Sequence, residues 1–568
     1  MAHNPPVGPV TLGDPVLIDG CRAESEILVL ASWPGDEVGT WRVADGVGAG
    51  IGFDIPVGTL RPEQWLWADL LLDGTDLAVF EFTFHQGSDA VFRLMFGALA
   101  QCQARIRFPL SVADFGQWRL ERDAAWLKPI CWGQAVDPRL VDRVELRMMR
   151  HNGEPVRWCM TPIRIGEAAP PALDHPLLPR GPLLDELGQS TLHDWPTRSR
   201  DVEEVRARLL QQRAEADDAA WPDGFSRWGG WEAGGRLAEG TGFFGTHHDG
   251  RRWWLVDPDG YPFWSSGVDC VTPVVDLPVA GLEDALTAPA VEPAPSGDYL
   301  VSNLVQAFGA ERWKPEWAAT VVGMLRQYGY NSIGNWSDLE TARQSGVGYV
   351  RPLTLECRRT PMIFRGFPDV FDPRFVDDAD EYAQALADTR DDPGLLGYFL
   401  MNEPTWGFAE ETPAAGMLRT AGPGASRRAF RDFLAERYAT DAEFASAWGE
   451  GLTPAAVAEE RWAGLFTEQA QEDLEAFSTL MVARLFDVLS AAARRVDPFH
   501  LNLGARYYTI PPAWALDAGL PASGIGRVPT QADRGKAVRR YIEHAAAQPW
   551  CVGVRRRPGV PPDAVHLS

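Results

Sequence analysis

Two shifts of pattern along the 568-residue sequence predict a multidomain protein, an N-terminal antiparallel β-sandwich followed by a (β/α)8 barrel. Before a Pro-rich stretch at Glu167–Pro182, apolar residues come in short alternating runs. After about residue 240, strands alternate with longer helices. A chain of this length also exceeds one ordinary domain.

Residues 1–166 hold the first pattern. Leu66–Leu72, Val79–Phe84, Val91–Phe96, Arg105–Leu110, Val144–Met149 and Val156–Ile165 are bounded by Gly, Asp and Pro clusters. Glu81-Phe82-Thr83-Phe84-His85 alternates with the period of a half-buried strand. Many short strands with turn signals predict a sandwich. Its place before a catalytic-looking region points equally to a carbohydrate-binding module and to a sandwich that only packs on the barrel. Residues 167–239 read as the linker plus one connecting helix, Val202–Ala216.

Residues 240–568 hold the second pattern. Trp253–Val256 and Pro262–Ser265 flank the turn Asp257-Pro258-Asp259-Gly260, and Phe263–Val271 would run on as the first barrel strand. A helix at Trp317–Tyr328 leads to strands at Asn331–Asn335 and Val347–Leu353, and a helix at Phe375–Ala387 leads to Leu395–Leu400. That last run is apolar on both faces, as buried parallel strands are. Helices near Ser426–Tyr438 and Asp473–Val496 and a strand at His500–Ala505 follow. No GxGxxG or GxxxxGK[ST] follows any strand, so a nucleotide-binding doubly wound sheet is excluded.

Acidic residues outnumber basic ones by 78 to 53, a net charge of −25, which argues against nucleic-acid and membrane partners. The 23 tryptophans suit either a core or the stacking of sugar rings. No signal-peptide pattern opens the sequence, no run approaches a membrane-spanning length, and the 7 cysteines are scattered without a CxxC pair. Buried free thiols and a cytoplasmic protein are the expectation. His247 and His248 are adjacent, hence on opposite faces of a strand, and no motif places a third ligand. Neither a metal site nor a cofactor is predicted.

Chemistry concentrates at Gly397-Tyr398-Phe399-Leu400-Met401-Asn402-Glu403-Pro404. An apolar strand delivers Asn-Glu at its C-terminal end, which in a (β/α)8 barrel is the catalytic face. There Glu403 can protonate a glycosidic leaving oxygen and Asn402 can hydrogen-bond a sugar 2-hydroxyl. The bland alternative is a turn in which Asn-Glu-Pro only ends the ladder. Other strand ends offer substrate contacts: Asp269 after the first strand, Asn335, Trp336 and Asp338 after the second, Trp406 beyond Glu403, and Arg506, Tyr507 and Tyr508 after His500–Ala505. Each is more readily a packing or loop residue than a ligand contact, except Trp336, for which the two readings are even.

Asn402-Glu403-Pro404 resembles the acid/base motif of clan A glycoside hydrolases. The run from Arg252 to Asp269 is similar to the hairpin entering the barrel of agarase-like, β-galactosidase-like members. Leu184-Asp185-Glu186-Leu187-Gly188-Gln189, Asp194-Trp195-Pro196 and Phe367-Pro368-Asp369-Val370-Phe371-Asp372-Pro373 resemble them too, in the same order over most of residues 40–510. The resemblance implies a retaining glycosidase with two Glu, acting on oligo- or polysaccharides that contain galactose or related sugars.

The same resemblance implies a nucleophile roughly 5–5.5 Å from the acid, on a seventh strand. No apolar run ending in Glu supplies it. The sequence passes from the Arg506–Gly519 segment straight into Leu520-Pro521-Ala522-Ser523-Gly524, as though the sixth and seventh strands were missing. Glu543 falls in a stretch of helical spacing, which leaves Asp517 as the stand-in. Trp550–Val554 looks like the start of an eighth strand that turns into the polar, Pro-rich Arg555–Pro562. An internal deletion with a shifted reading frame would produce both features. Three readings stay open: an impaired or intact glycosidase, a non-catalytic glycan-binding or scaffold protein derived from one, and an unrelated α/β enzyme using Glu403 differently.

Overall fold

The computed structural model describes residues 9–88, 90–114, 119–150, 154–274, 279–289, 298–420, 422–462, 464–507, 512, 514–515, 525–526, 553–556 and 565–566. The chain divides into two compact units, Met1–Arg206 with Val274–Gln306, and Ala207–Pro273 with Ala307–Ser568.

The first unit contains two antiparallel sheets. In one, Trp65–Asp73 is flanked by Val156–Met160, Gln103–Pro109 and Arg164–Gly166. In the other the order is Trp126–Gly133, Ala90–Ala98, Ala78–Gln86, Arg143–Arg150, Gly50–Asp54 and Val16–Ile18. Alternation decides what each strand buries. Phe80, Phe82 and Phe84 enter a core shared with Leu66, Leu70, Phe92, Phe96, Phe108 and Trp158, while Glu81, Thr83 and His85 take the other face. Phe80 meets Trp158 of the opposing sheet edge-on at 5.6 Å. Cys21, Cys102, Cys131 and Cys159 are buried free thiols here.

In the second unit, parallel strands lie side by side in chain order: Ser265–Val268, Ser332–Ile333, Gly348–Pro352, Leu395–Phe399 and Leu501–Asn502. Gly553–Arg556 pairs parallel with the free side of Ser265–Val268, so the sheet has six parallel strands among the described residues. That last strand runs through Arg555 and Arg556, beyond the point where the sequence reads as a polar tail. Its ladder is made by backbone groups, and Pro558, which lacks an amide hydrogen, comes two residues later.

Strands are shorter than their apolar runs. Leu395–Phe399 and Met401–Asn402 are separated at Leu400, and Leu501–Asn502 and Ala505–Arg506 at Leu503 and Gly504. The breaks face each other, with Leu400 donating to the Gly504 carbonyl at 2.7 Å and Leu503 to that of Tyr398 at 2.9 Å. Gly504, at φ 72°, supplies a backbone conformation a side chain would resist.

The helix Glu468–Val496 begins one turn before its predicted start, because Thr467 caps it by accepting from the Ala470 amide. It is long and apolar enough by composition to cross a bilayer. Its apolar stripe (Leu474, Phe477, Met481, Leu485, Leu489) is instead buried in the core of this unit.

Candidate active site

The carboxyl group of interest is delivered by the doubly broken strand pair. Met401–Asn402 pairs parallel with Ala505–Arg506, bringing Asn402 opposite Arg506. The Glu403 amide then donates to the Arg506 carbonyl at 2.6 Å, with Glu403 itself at φ 44°. A left-handed conformation at a non-glycine residue costs on the order of 1 kcal/mol and persists only where neighbours enforce it. Pro404 ends the ladder, and a short 3-10 turn, Thr405–Phe408, follows. Trp336 and Cys270, at the ends of two other parallel strands, also have positive φ, 57° and 59°.

Around Glu403 the side chains converge on one guanidinium. Arg506, 5 % exposed, donates from Nη1 to Oδ1 of Asn402 at 2.9 Å and to Oε1 of Glu403. Its Cζ lies 5.2 Å from the centre of the Trp336 ring, a cation–π contact. Because arginine only donates, the Asn402 carbonyl must face it, which turns the Asn402 amide NH2 outward as a donor. Glu403 keeps 30 % of its side chain exposed. The site therefore presents a solvent-facing carboxylate, an outward amide donor and a half-buried indole.

Asp269 and Asn335 are both buried, and they tie two strand ends together. Asp269 Oδ1 accepts from the Asn335 amide at 2.8 Å, and the Cys270 amide donates to the Asn335 carbonyl at 2.8 Å. A Cβ at Gly334 would sit 1.8 Å from Asp269 Oδ1, so this approach requires glycine. Asn335 Oδ1 is buried without a hydrogen-bond partner among the described residues. Asp338 caps the helix Leu339–Gln344 through the Thr341 amide.

Trp406 and Tyr507 lie in the packed layer, each 1 % exposed. Trp406 meets Phe367 edge-on at 5.2 Å and Tyr507 at 6.3 Å, and burial pushes the Tyr507 hydroxyl well above its ordinary range. The structure thus brings Asn402, Glu403 and Trp336 together, keeps Asp269 and Asn335 beneath a strand end, and uses Trp406 and Tyr507 for packing. Tyr508, Asp517 and Glu543 lie outside the described residues.

Arg506 gains a larger part than the sequence suggested. Its only signal was a basic residue at a strand end, and the pairing that puts it on Glu403 joins residues about a hundred positions apart. Glu411, in the loop after Glu403, was not singled out. Burial pushes its carboxyl up, against the opposing charges of Arg419, 2.7 Å away, and Arg365. Among the described residues no three His, Cys, Asp or Glu side chains group as a metal site.

No family model matches the chain. It is 23 % identical over 380 residues to Beta-agarase B of Vibrio sp. (strain JT0107), a match covering 57 % of this chain and 40 % of that protein. Beta-agarase A of the same strain is 23 % identical over 304 residues, 45 % of this chain and 30 % of that protein. The chain therefore aligns with less than half the length of either relative. Among solved structures, an exo-beta-agarase superposes with a TM-score of 0.58 at 20 % identity, covering 96 % of this chain and 92 % of its own. An agarase, AgWH50C, superposes with a TM-score of 0.58 at 16 % identity, covering 97 % and 93 %.

Proposed function

We propose that this chain, agarase-like in sequence and in fold, is a glycoside hydrolase derivative whose incomplete (β/α)8 barrel addresses β-galactosidic bonds of agarose-type glycans, with Glu403 as general acid/base. The observation that carries the proposal is Glu403 at the C-terminal end of a parallel strand, with Asn402 beside it and both held by Arg506. In the reaction, protonated Glu403 gives its proton to the glycosidic oxygen as the bond from that oxygen to C1 breaks. A second carboxylate attacks C1 with retention overall, and Glu403 then takes a proton from the water that cleaves the glycosyl ester. Asn402 donates to the 2-hydroxyl oxygen, and Trp336 offers an apolar ring for the sugar.

The nucleophile is the weak point. Beyond Ala505 the sequence holds four acidic residues, Asp517, Asp533, Glu543 and Asp563, and its one Glu ends no apolar run. In the resting state one oxygen of Glu403 is also taken by Arg506. We therefore propose slow hydrolysis or none. The second reading, a glycan-binding protein without turnover, is favoured by that same Arg506 contact. If the protein is cytoplasmic, its substrates are oligosaccharides rather than the polymer.

Assays with aryl β-galactosides and agarose oligosaccharides test this reading. Galactoside turnover that disappears in Glu403→Gln supports the hydrolase, and binding of the oligosaccharides without turnover supports the second reading. Binding of neither sugar would contradict both. An activated 2-fluoro-galactoside followed by intact-mass spectrometry tests the missing nucleophile. We expect no adduct, and a stoichiometric adduct mapped to Asp517 would show that the chain supplies its own.

A further inference from the structure

In the six-stranded sheet of the first unit, the residues facing away from the shared core form a polar row across neighbouring strands. Trp132 stands opposite Arg93, Arg93 opposite Thr83, and Thr83 opposite Glu145. Trp132 is rooted on the edge strand Trp126–Gly133, yet its Nε1 donates to Oε2 of Glu81, two strands away, at 2.9 Å. Between them, on Ala90–Ala98, the Arg93 guanidinium sits 4.8 Å from the centre of the indole. The ring therefore lies across the sheet with one face on Arg93 and the other outward, and Trp132 is 40 % exposed.

An exposed tryptophan alone is ordinary. What is unusual here is the anchoring. Glu81 is 4 % exposed, and burial pushes its carboxyl up, opposed by the Trp132 bond and the Arg93 charge. A desolvated carboxylate thus fixes an indole that stays 40 % exposed. Among the other described tryptophans of this unit, Trp41, Trp67, Trp126 and Trp158 are buried and Trp33, Trp65 and Trp195 are half-buried.

From this geometry we infer that the outer face of this sheet is a glycan-binding platform centred on Trp132, taking the flat apolar face of a neutral pyranose chain. Neutrality follows from the charge pattern. Glu81 is paired with Arg93, and Glu145 with Arg143 and Arg147, which also reach Asp54 and Asp19, so each of these charges on the face has an opposite partner. The C–H face of a pyranose stacks on an indole, and its equatorial hydroxyls reach the flanking, partly exposed His85 and Arg93 side chains. This site is separate from Glu403, and the inference does not depend on turnover there.

Native electrophoresis of the full chain, in a Glu403→Gln background, through gels containing agarose or a neutral mixed-linkage β-glucan tests the platform. Retardation by at least one of them should weaken roughly tenfold in Trp132→Ala. Trp132→Phe should retain most of it, Glu81→Gln should behave as the parent, and Trp253→Ala, which removes an exposed tryptophan of the other unit, should change nothing. A thermal melt matching the parent shows that each variant is folded. No retardation by either polymer, equal retardation in Trp132→Ala, or an equal loss in Trp253→Ala would overturn the proposal. So would retardation by an anionic polysaccharide alone. A chain without hydrolytic activity that is still retarded through Trp132 separates this inference from the reading of Glu403.

Discussion

Arg506 holds Asn402 and Glu403 in one arrangement, and removing it has a calculable consequence. In Arg506→Met both acceptors lose their donor, but Glu403 is exposed enough to recover water. The loss should be about 1–2 kcal/mol, below the ~3–5 kcal/mol of a fully buried pair, and chemical denaturation measures it. Arg506→Lys should restore only part, since an ammonium lacks the planar fork that serves two acceptors. At this scale the sequence was most informative where a residue's role depends on its own strand. Asn402-Glu403-Pro404 was legible because an apolar strand ends there. Trp406 and Tyr507 were not, because whether a ring packs or faces solvent depends on distant partners such as Phe367.

Elements show the same division. The long periodic helices and buried strands were readable, whereas Asp441–Trp448 and Pro454–Glu459 escaped notice despite capping threonines at 440 and 453. They are too short for periodicity to stand out. Asp369, within a segment noted only for its resemblance, accepts from the Ala425 and Ser426 amides and so caps the helix Ala425–Arg437 from a distance. Two predictions belong here. Asp473, buried on the helix Glu468–Val496, accepts from Tyr438 and Trp448 and pairs with Arg437. Asp473→Ala should cost about 2–3 kcal/mol in denaturant unfolding, since it strands the buried Trp448 donor while Arg437 and Tyr438 recover water in part.

The second concerns Glu145 on Arg143–Arg150. Burial alone would push its carboxyl up, but hydrogen bonds and charge from Arg147 and Arg143 hold it down to about 2. Its folded value lies below the unfolded one, so its contribution is full above about pH 4.5 and fades as pH falls toward 2. With the arginines partly solvated, that contribution is about 2–3 kcal/mol. Glu145→Gln should therefore lose stability at pH 7 and show a shallower decline than the parent between pH 4.5 and 2.

For the whole molecule, the two-part plan was legible because alternation and helical spacing change abruptly along the chain. The return of Val274–Gln306 to the first unit was not, since no local pattern marks which unit a segment joins. The central claim, that Glu403 is a proton donor to a glycosidic oxygen, is tested most directly by its dependence on the leaving group. The kcat/KM for β-galactosides with phenol, 4-nitrophenol and 2,4-dinitrophenol leaving groups, which reports only the steps up to leaving-group departure, is measured at high protein concentration for the parent and for Glu403→Gln. A general acid contributes about 10²–10⁴-fold where the leaving oxygen needs a proton. The account predicts a loss of that order with phenol and little loss with 2,4-dinitrophenol, whose anion departs unaided. An equal loss for all three leaving groups, or none for phenol, would contradict it.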